Sequence, residues 1–416
     1  MFKGVRIVLA IIALCAIAAT SQAQCPGYNP AKNTNLACET VTALRGTSAD
    51  PNGLSEVGSI LGTAMGTQLS QLPIAAAASG SGITIGASGL PTVSTDSLGT
   101  ILTQRGKTIG KHKFLISFNF QRFVFQNVDG VDLKNLPVVV NFFPGQNNVY
   151  LQDTSQIWFR IDQFTTLGTF GLTDKIDVSL IVPFSKVNLD TATTATMHTI
   201  AYAGSVPTTG ASTVIVPDLY LPGSASGIGD VRVNVKANVL GNESRTSLAI
   251  GGEVRFPTGD AANFLGTGAY GIKPYLVISR RGRVTPNLNI GYQWNGKSIL
   301  NSNQNLPATF LYAGGVDIRA AKRLTLTAEF LGQYVINAPR VVVQTVIVPL
   351  IGTQLNAPLP SARSFIGSYF SNNAAFGFKV NPFGKLVLSA SALMKLDDNG
   401  MRQRSVVPLF GAAYRF

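Results

Sequence analysis

The residues of this 416-residue chain that could carry acid–base, metal or nucleophilic chemistry are 2 His, 3 Cys and 20 Asp plus Glu. His112 opens an alternating apolar stretch, and His198 falls in a segment read as a long loop. Around the second the chain runs Met197-His198-Thr199-Ile200, which lacks the His-x-Ser pairing through which an imidazole could activate a hydroxyl. Gly266-Thr267-Gly268-Ala269-Tyr270-Gly271 spells a dinucleotide-type glycine pattern. It leads into a strand containing Pro274, however, so no helix N-terminus is there to receive a phosphate. Asp397-Asp398-Asn399-Gly400 starts like a calcium loop but lacks the spaced ligands and closing Glu, and it reads as a surface hairpin turn. Cys15 lies in the leader described below. Cys25 and Cys38 then read as a disulfide in an exported chain, because two thiols without a neighbouring His make a poor zinc set. The expectation is of no enzyme, no metal site and no cofactor.

The elements that position the remaining polar residues explain this scarcity. Only 13% of the chain is charged, about half the share usual in soluble proteins, while 45% is apolar and 42 residues are Gly. No apolar run is long enough for a spanning helix, and 23 Phe with 11 Tyr make the chain too hydrophobic for disorder. Residues 1–23 read as a cleaved secretory signal, with Lys3 and Arg6 before an apolar core from Ile7 to Ala19 and small residues at Ser21 and Ala23.

From Lys113 onward apolar residues recur with period two. Phe114, Ile116, Phe118 and Phe120 alternate with Ser117, Asn119 and Gln121, and Val231, Val233, Val235, Ala237 and Val239 alternate with Arg232, Asn234, Lys236 and Asn238. Twelve such strands are expected, at about 113–126, 156–172, 175–188, 228–241, 244–257, 269–281, 283–294, 306–319, 322–335, 371–381, 384–396 and 404–416. Tight turns and longer loops alternate between them, the longest at 127–155, 189–227 and 336–370. A further hairpin around Val341–Leu350 would raise the count to fourteen. Long strands with short turns on one rim and long loops on the other describe an all-β, up-and-down antiparallel transmembrane β-barrel of the bacterial outer membrane. The last strand turns Val406, Pro408, Phe410, Ala412, Tyr414 and Phe416 to one face. Tyr414 and Phe416 at the end resemble the C-terminal signal that the barrel-insertion machinery reads. Tyr292, Trp294, Tyr334 and Tyr414 are candidates for an interfacial aromatic girdle.

Three regions follow: the signal at 1–23, an N-terminal segment at 24–110 and the barrel at 111–416. In the second, Leu54, Val57, Ile60, Leu61, Ala64, Met65, Leu69 and Leu72 predict one amphipathic helix ending before Pro73, followed by a hairpin around Ile83–Val93. Val57 to Thr95 contain no charge. The segment is read as a short helix-containing plug for the lumen, a periplasmic tail being the alternative.

Several stretches carry a family resemblance: ILTQRGKTIGKHKFLISFNFQRFVF (101–125), FGLTDKIDVSLIVPF (170–184), GIGDVRVNVKANVL (227–240), RFPTGDAANFLGTGAYGIKPYLV (255–277) and NLNIGYQWNG (287–296). Together they resemble the outer-membrane barrels of the MetA-pathway phenol-degradation family, similar in style to the FadL-type transporters of hydrophobic compounds. The resemblance implies a channel for passive uptake of small hydrophobic or aromatic solutes.

If the apolar faces meet lipid, the opposite faces line the lumen. The lining candidates are Arg122, Arg160, Arg232, Lys236, Arg255, Lys273, Lys379 and Lys395 against Asp162, Glu253 and Glu329, an excess that favours anions. The alternative functions are therefore a general diffusion porin with anion preference, or a structural or adhesion barrel acting through its long loops. The formal charge of +13 falls to +11 when Lys3 and Arg6 leave with the signal. It has no dense basic run for nucleic acid and suits contact with outer-membrane lipid and lipopolysaccharide. Oligomeric state and substrate do not follow from these residues.

Overall fold

A computed structural model describes residues 35–37, 51–74, 83–85, 91–93, 97–141, 149–203, 206–212, 219–240, 244–349, 356–383, 385–404 and 406–416. The proposed signal, with Cys25 and Cys38, lies outside them. The period-two segments form twelve long antiparallel strands: β1 (Phe114–Val128), β2 (Val149–Gly171), β3 (Ile176–Ala203), β4 (Arg232–Asn238), β5 (Thr246–Arg255), β6 (Gly271–Arg280), β7 (Val284–Asn295), β8 (Ala308–Ala321), β9 (Leu324–Pro349), β10 (Asn356–Val380), β11 (Leu386–Lys395) and β12 (Val406–Arg415). Each pairs with the next in sequence, and β12 returns to β1 with Leu409 opposite Gln121 and Arg415 opposite Leu115. The sheet therefore closes and has no free edge, which is what backbone in lipid demands.

Closure gives the alternation its physical meaning. On β1 the even residues point outward and the odd residues inward: Phe114 and Phe118 are exposed, whereas Leu115, Ser117, Gln121 and Phe123 are buried. The other strands follow the same rule, so that Phe164, Phe184, Ile250, Leu288, Trp294, Phe376 and Phe410 draw an apolar belt around the outside. Tyr292 and Trp294 stack at 4.6 Å, as do Tyr334 and Phe370, and Tyr414 meets Phe416 at 4.9 Å. These aromatics take the outward positions near strand ends expected of a girdle.

Two loops expected from composition are strand instead. β3 runs to Ala203 and β9 to Pro349, and β9 pairs with β10 in one continuous hairpin from Leu324↔Val380 to Pro349↔Asn356. The residues 341–349 thus lengthen an existing strand, and the count stays at twelve. Beyond the bilayer a strand needs no apolar face, so Thr-rich stretches can pair through backbone alone. A break before β4 also has a local cause. Leu219–Ile228 pairs with β3 down to Phe184↔Ile228, and pairing resumes at Arg232↔Ile181. Pro183 lies between them and has no N–H to donate, and Gly229 N–H bonds its carbonyl at 2.8 Å across the bulge.

Candidate functional site

The lumen is filled at two heights by residues that precede β1. The upper filling is α1 (Pro51–Gln71), which ends before Pro73 as its spacing predicts. Leu61, Met65, Leu69 and Leu72 are buried against the wall and against a short turn at Ile299–Asn301 between β7 and β8. Gly62 and Gly66 permit that approach: a Cβ at Gly62 would lie 3.2 Å from the Leu300 carbonyl oxygen, and one at Gly66 3.1 Å from Leu300 Cδ1. Thr63 Oγ1 donates to the Leu300 carbonyl at 3.1 Å, and Gln71 Nε2 to Thr309 Oγ1 at 2.7 Å. At the helix C-terminus Arg255 Nη1 donates to the Ser70 carbonyl at 3.2 Å, placing a cation where the helix dipole is negative. Arg255 is itself held by Asn295 at 2.8 Å and Asp230 at 3.7 Å.

The lower filling is the extended segment 97–109, near the short-turn rim. It belongs to no strand, so its backbone polar groups are met by wall side chains, as buried peptide groups require. Glu329 is the central staple. Its carboxylate accepts from Ile101 N–H at 3.1 Å, Leu102 N–H at 2.9 Å, Thr103 N–H at 2.6 Å and Thr103 Oγ1 at 2.9 Å. Lys379 Nζ donates to the Thr100 carbonyl at 2.6 Å, and Asn289 pairs with both the N–H and the carbonyl of Gln104, at 2.7 and 2.9 Å. Arg105 forms a buried ion pair with Asp317, and Ser97 bonds to both. Lys236 Nζ donates to the carbonyls of Arg105 at 3.1 Å and Lys107 at 2.8 Å, while Asp177 accepts from Ile109 N–H at 3.1 Å. Gly106 passes so close to β5 that a Cβ would stand 2.5 Å from Ser247 Oγ and 2.9 Å from its carbonyl oxygen.

Between the two fillings lies a cavity of about 190 Å³. Leu72 and Ile74 form its roof, Leu102 and Gln104 its floor, and Phe123, Leu331 and Leu393 add apolar wall. On the polar side Glu253 joins Lys273 at 2.9 Å and Arg232 at 3.4 Å, and Tyr275 OH donates to Asn234 Oδ1 at 2.7 Å. Most of the wall's charge is thereby consumed in bracing.

Of the residues expected to line the lumen, Arg232, Lys236, Glu253, Arg255, Lys273, Glu329 and Lys379 point inward and take part in these contacts. Lys395 is inward by alternation but sits at the long-loop rim, paired with Asp398. Arg122, Arg160 and Asp162 are corrected: they occupy even positions on β1 and β2 and stand on the outer face, the two arginine side chains 49% and 43% exposed. For these three the lumen expectation fails because the apolar residues beside them, Phe118 and Phe120 on β1 and Phe164 on β2, set even positions outward. Asp177, Asp230, Asp317 and Arg105 were missed. The first was legible, since Ile176 and Val178 face outward and leave Asp177 to the lumen.

Other sequence features resolve locally. Asp230 accepts from Thr267 N–H and Oγ1 at 2.8 and 2.6 Å, which pins the glycine pattern at 266–271 as a structural loop. His198 lies in β3 opposite Tyr150 rather than in a loop, and His112 sits at the short-turn rim with φ +57°. Among the described residues no group of three or more His, Cys, Asp or Glu is placed to hold a metal ion. Tyr414 and Phe416 face outward, and Phe416 N–H closes the seam on the Phe114 carbonyl at 2.8 Å.

Three solved structures similar to this chain over 74% of its length are an outer-membrane channel from Pseudomonas putida F1 (11% identity, 97% of that chain, TM-score 0.42), the CymD monoaromatic hydrocarbon channel (8%, 89%, 0.34) and the Ralstonia pickettii toluene transporter TbuX (11%, 90%, 0.27). No curated protein matches the chain. The family model described as "Putative MetA-pathway of phenol degradation" matches residues 142–342, a stretch that contains four of the five segments in which the sequence resembles that family.

Proposed function

We propose that the chain is an outer-membrane channel for passive uptake of small hydrophobic or aromatic compounds, with passage controlled by the two fillings of its lumen. The observation that carries this reading is the mid-lumen cavity of about 190 Å³, whose apolar lining includes Leu72, Ile74, Leu102, Phe123, Leu331 and Leu393. A buried apolar cavity of about 150 Å³ suffices to take up benzene, so the volume suits a one-ring solute. A general porin would keep a continuous aqueous path with unpaired lumen charge. Here segment 97–109 and α1 occupy that path, Arg105–Asp317 is a compensated pair, and Arg232 and Lys273 are both engaged by Glu253. The names of the similar channels, which mention monoaromatic hydrocarbons and toluene, agree with this choice of solute.

The test is single-channel conductance together with toluene flux into proteoliposomes, for the full mature chain and two deletions. Deleting 24–98 removes the roof and keeps the Glu329-stapled floor, and deleting 24–108 removes both. The reading expects ion conductance only in the second, and toluene flux in the full chain that falls when Leu331→Trp fills the cavity. Steady ion conductance by the full chain, with toluene flux indifferent to Leu331→Trp, would establish the porin instead.

A further inference from the structure

The three charged residues found on the outer face are not scattered. Following the ladder across the sheet, Phe410, Phe120, Phe164, Phe184 and Ile228 form one continuous outward row, the upper edge of the apolar belt on this side. The next outward row toward the long-loop rim reads Arg122, Asp162, Lys186. One row further, Arg404 N–H meets the Val124 carbonyl at 2.6 Å, and Val124 faces Arg160. Four cations from four neighbouring strand segments thus stand in the two rows above the aromatic rings, Arg122 and Lys186 in the first and Arg160 and Arg404 in the second; Arg122, Lys186 and Arg404 are exposed and Arg160 is half-buried. On β7 to β10 the same edge is drawn instead by Trp294, Phe310, Tyr334 and Phe370.

Their internal compensation is partial. Asp162 is the one carboxylate inside the patch. It meets Arg122 through Nε, and Arg160 also through Nε, at 3.4 Å. Both guanidiniums thus share one carboxylate, which leaves a net positive charge on the three residues. Asp190, the next carboxylate upward on β3, faces Trp158, whose ring lies under Lys134 at 5.9 Å. A planar guanidinium presents two parallel N–H donors that fit phosphate oxygens, and cationic side chains bordering an apolar surface reach the headgroup level with their stems still in hydrocarbon.

We propose that Arg122, Arg160, Lys186 and Arg404 form a site for the phosphate groups of an outer-leaflet glycolipid, whose acyl chains lie on the Phe120–Phe164–Phe184 row beneath. Asp162 holds the two guanidiniums upright and at the same time competes with the ligand for them. The placement favours a lipid over a soluble anion, because the donors border the belt on the outside and are separated from the lumen by the wall. The site stands independently of what the lumen transports.

The experiment is native mass spectrometry and competitive binding on the full detergent-solubilised chain, using bis-phosphorylated lipid A, the same lipid after phosphatase treatment, and inorganic phosphate as probes. The wild type is expected to prefer the phosphorylated lipid by about tenfold or more, with millimolar inorganic phosphate failing to displace it. Arg122→Gln/Arg160→Gln/Lys186→Gln/Arg404→Gln should abolish the preference, while Arg245→Gln/Arg280→Gln/Arg283→Gln/Lys322→Gln at the opposite rim should keep it. Heat-modifiable electrophoretic mobility reports whether each barrel is closed. Asp162→Asn gives a second reading that a misfolded quadruple variant cannot obscure: it should bind more tightly, whereas mere bracing of the wall predicts no gain. Equal binding of phosphatase-treated lipid, a preference that survives the quadruple change, or displacement by inorganic phosphate overturns the proposal.

Discussion

Replacing Glu329 with Gln is the sharpest perturbation of the lower filling, since one carboxylate receives three backbone N–H groups and a hydroxyl. A carboxamide has one acceptor oxygen. If that oxygen takes the Oε1 position, it keeps Thr103, and the NH₂ then confronts Ile101 N–H, which Oε2 receives at 3.1 Å in the native chain. The change therefore loses one bond outright, sets donor against donor, and weakens the others by removing charge. Hydrogen bonds to charged groups are worth about 1.5–3 kcal/mol each, so a net loss of about 3 kcal/mol is expected. A bias of that size multiplies the population of an opened floor by about 150. The assay is open probability in planar bilayers, with amide hydrogen exchange over 98–106 measured in parallel. Both should rise while the exchange of β1 and β12 stays unchanged. A Glu329→Gln channel that stays closed, with exchange at 101–103 altered by less than about threefold, would refute the assignment of Glu329 as the staple.

Gly106→Ala should act on the same floor from the other side, because its Cβ would overlap the backbone of β5. A cost of about 1–3 kcal/mol should appear as raised conductance, unlike Gly252→Ala, which meets nothing within 4 Å. Gly66→Leu should displace the roof from Leu300 and speed proteolysis between α1 and the floor, leaving the barrel heat-modifiable. Outside the belt, Asp129 accepts from Arg340 Nε at 2.9 Å, Arg340 Nη2 at 2.8 Å, Val341 N–H at 2.9 Å and Gly400 N–H at 2.8 Å, tying three long-loop elements together. Asp129→Ala should cost about 1–3 kcal/mol in urea unfolding, because it removes the acceptor of two buried backbone N–H groups and the counter-charge of a part-buried guanidinium. Hydrogen bonds from Lys395 and then Asn127 hold the Asp398 carboxyl below its ordinary range. Its contribution is complete above that range and is lost as pH falls through it, so the difference in unfolding midpoint between wild type and Asp398→Asn should vanish in acid.

The barrel was legible because lipid on one side and a packed lumen on the other impose period two on every spanning strand. The same rule contained the correct side for Arg122, since Phe114, Phe118 and Phe120 fix even positions outward. Charge is tolerated outside once a strand clears the hydrocarbon, which is where Arg122, Arg160 and Asp162 stand. The extensions of β3 and β9 were illegible for a related reason: in water, pairing leaves no hydrophobic signature, and Thr- and Val-rich composition fits loop and strand alike. α1 was predicted from its spacing and from Pro73. The staples for 97–109 were not, because a carboxylate that satisfies peptide N–H groups across about 230 positions of sequence leaves no local pattern.

The seam between β1 and β12 imposes an order on biogenesis. Arg415 faces Leu115 from roughly 300 residues away, so the wall can be completed only after the final residues have been made. The chain segment inside it leads directly into the first strand of that wall. The filling and the seam are thus covalently joined: the barrel cannot close β1 on β12 without the segment 97–109 tethered beside that seam.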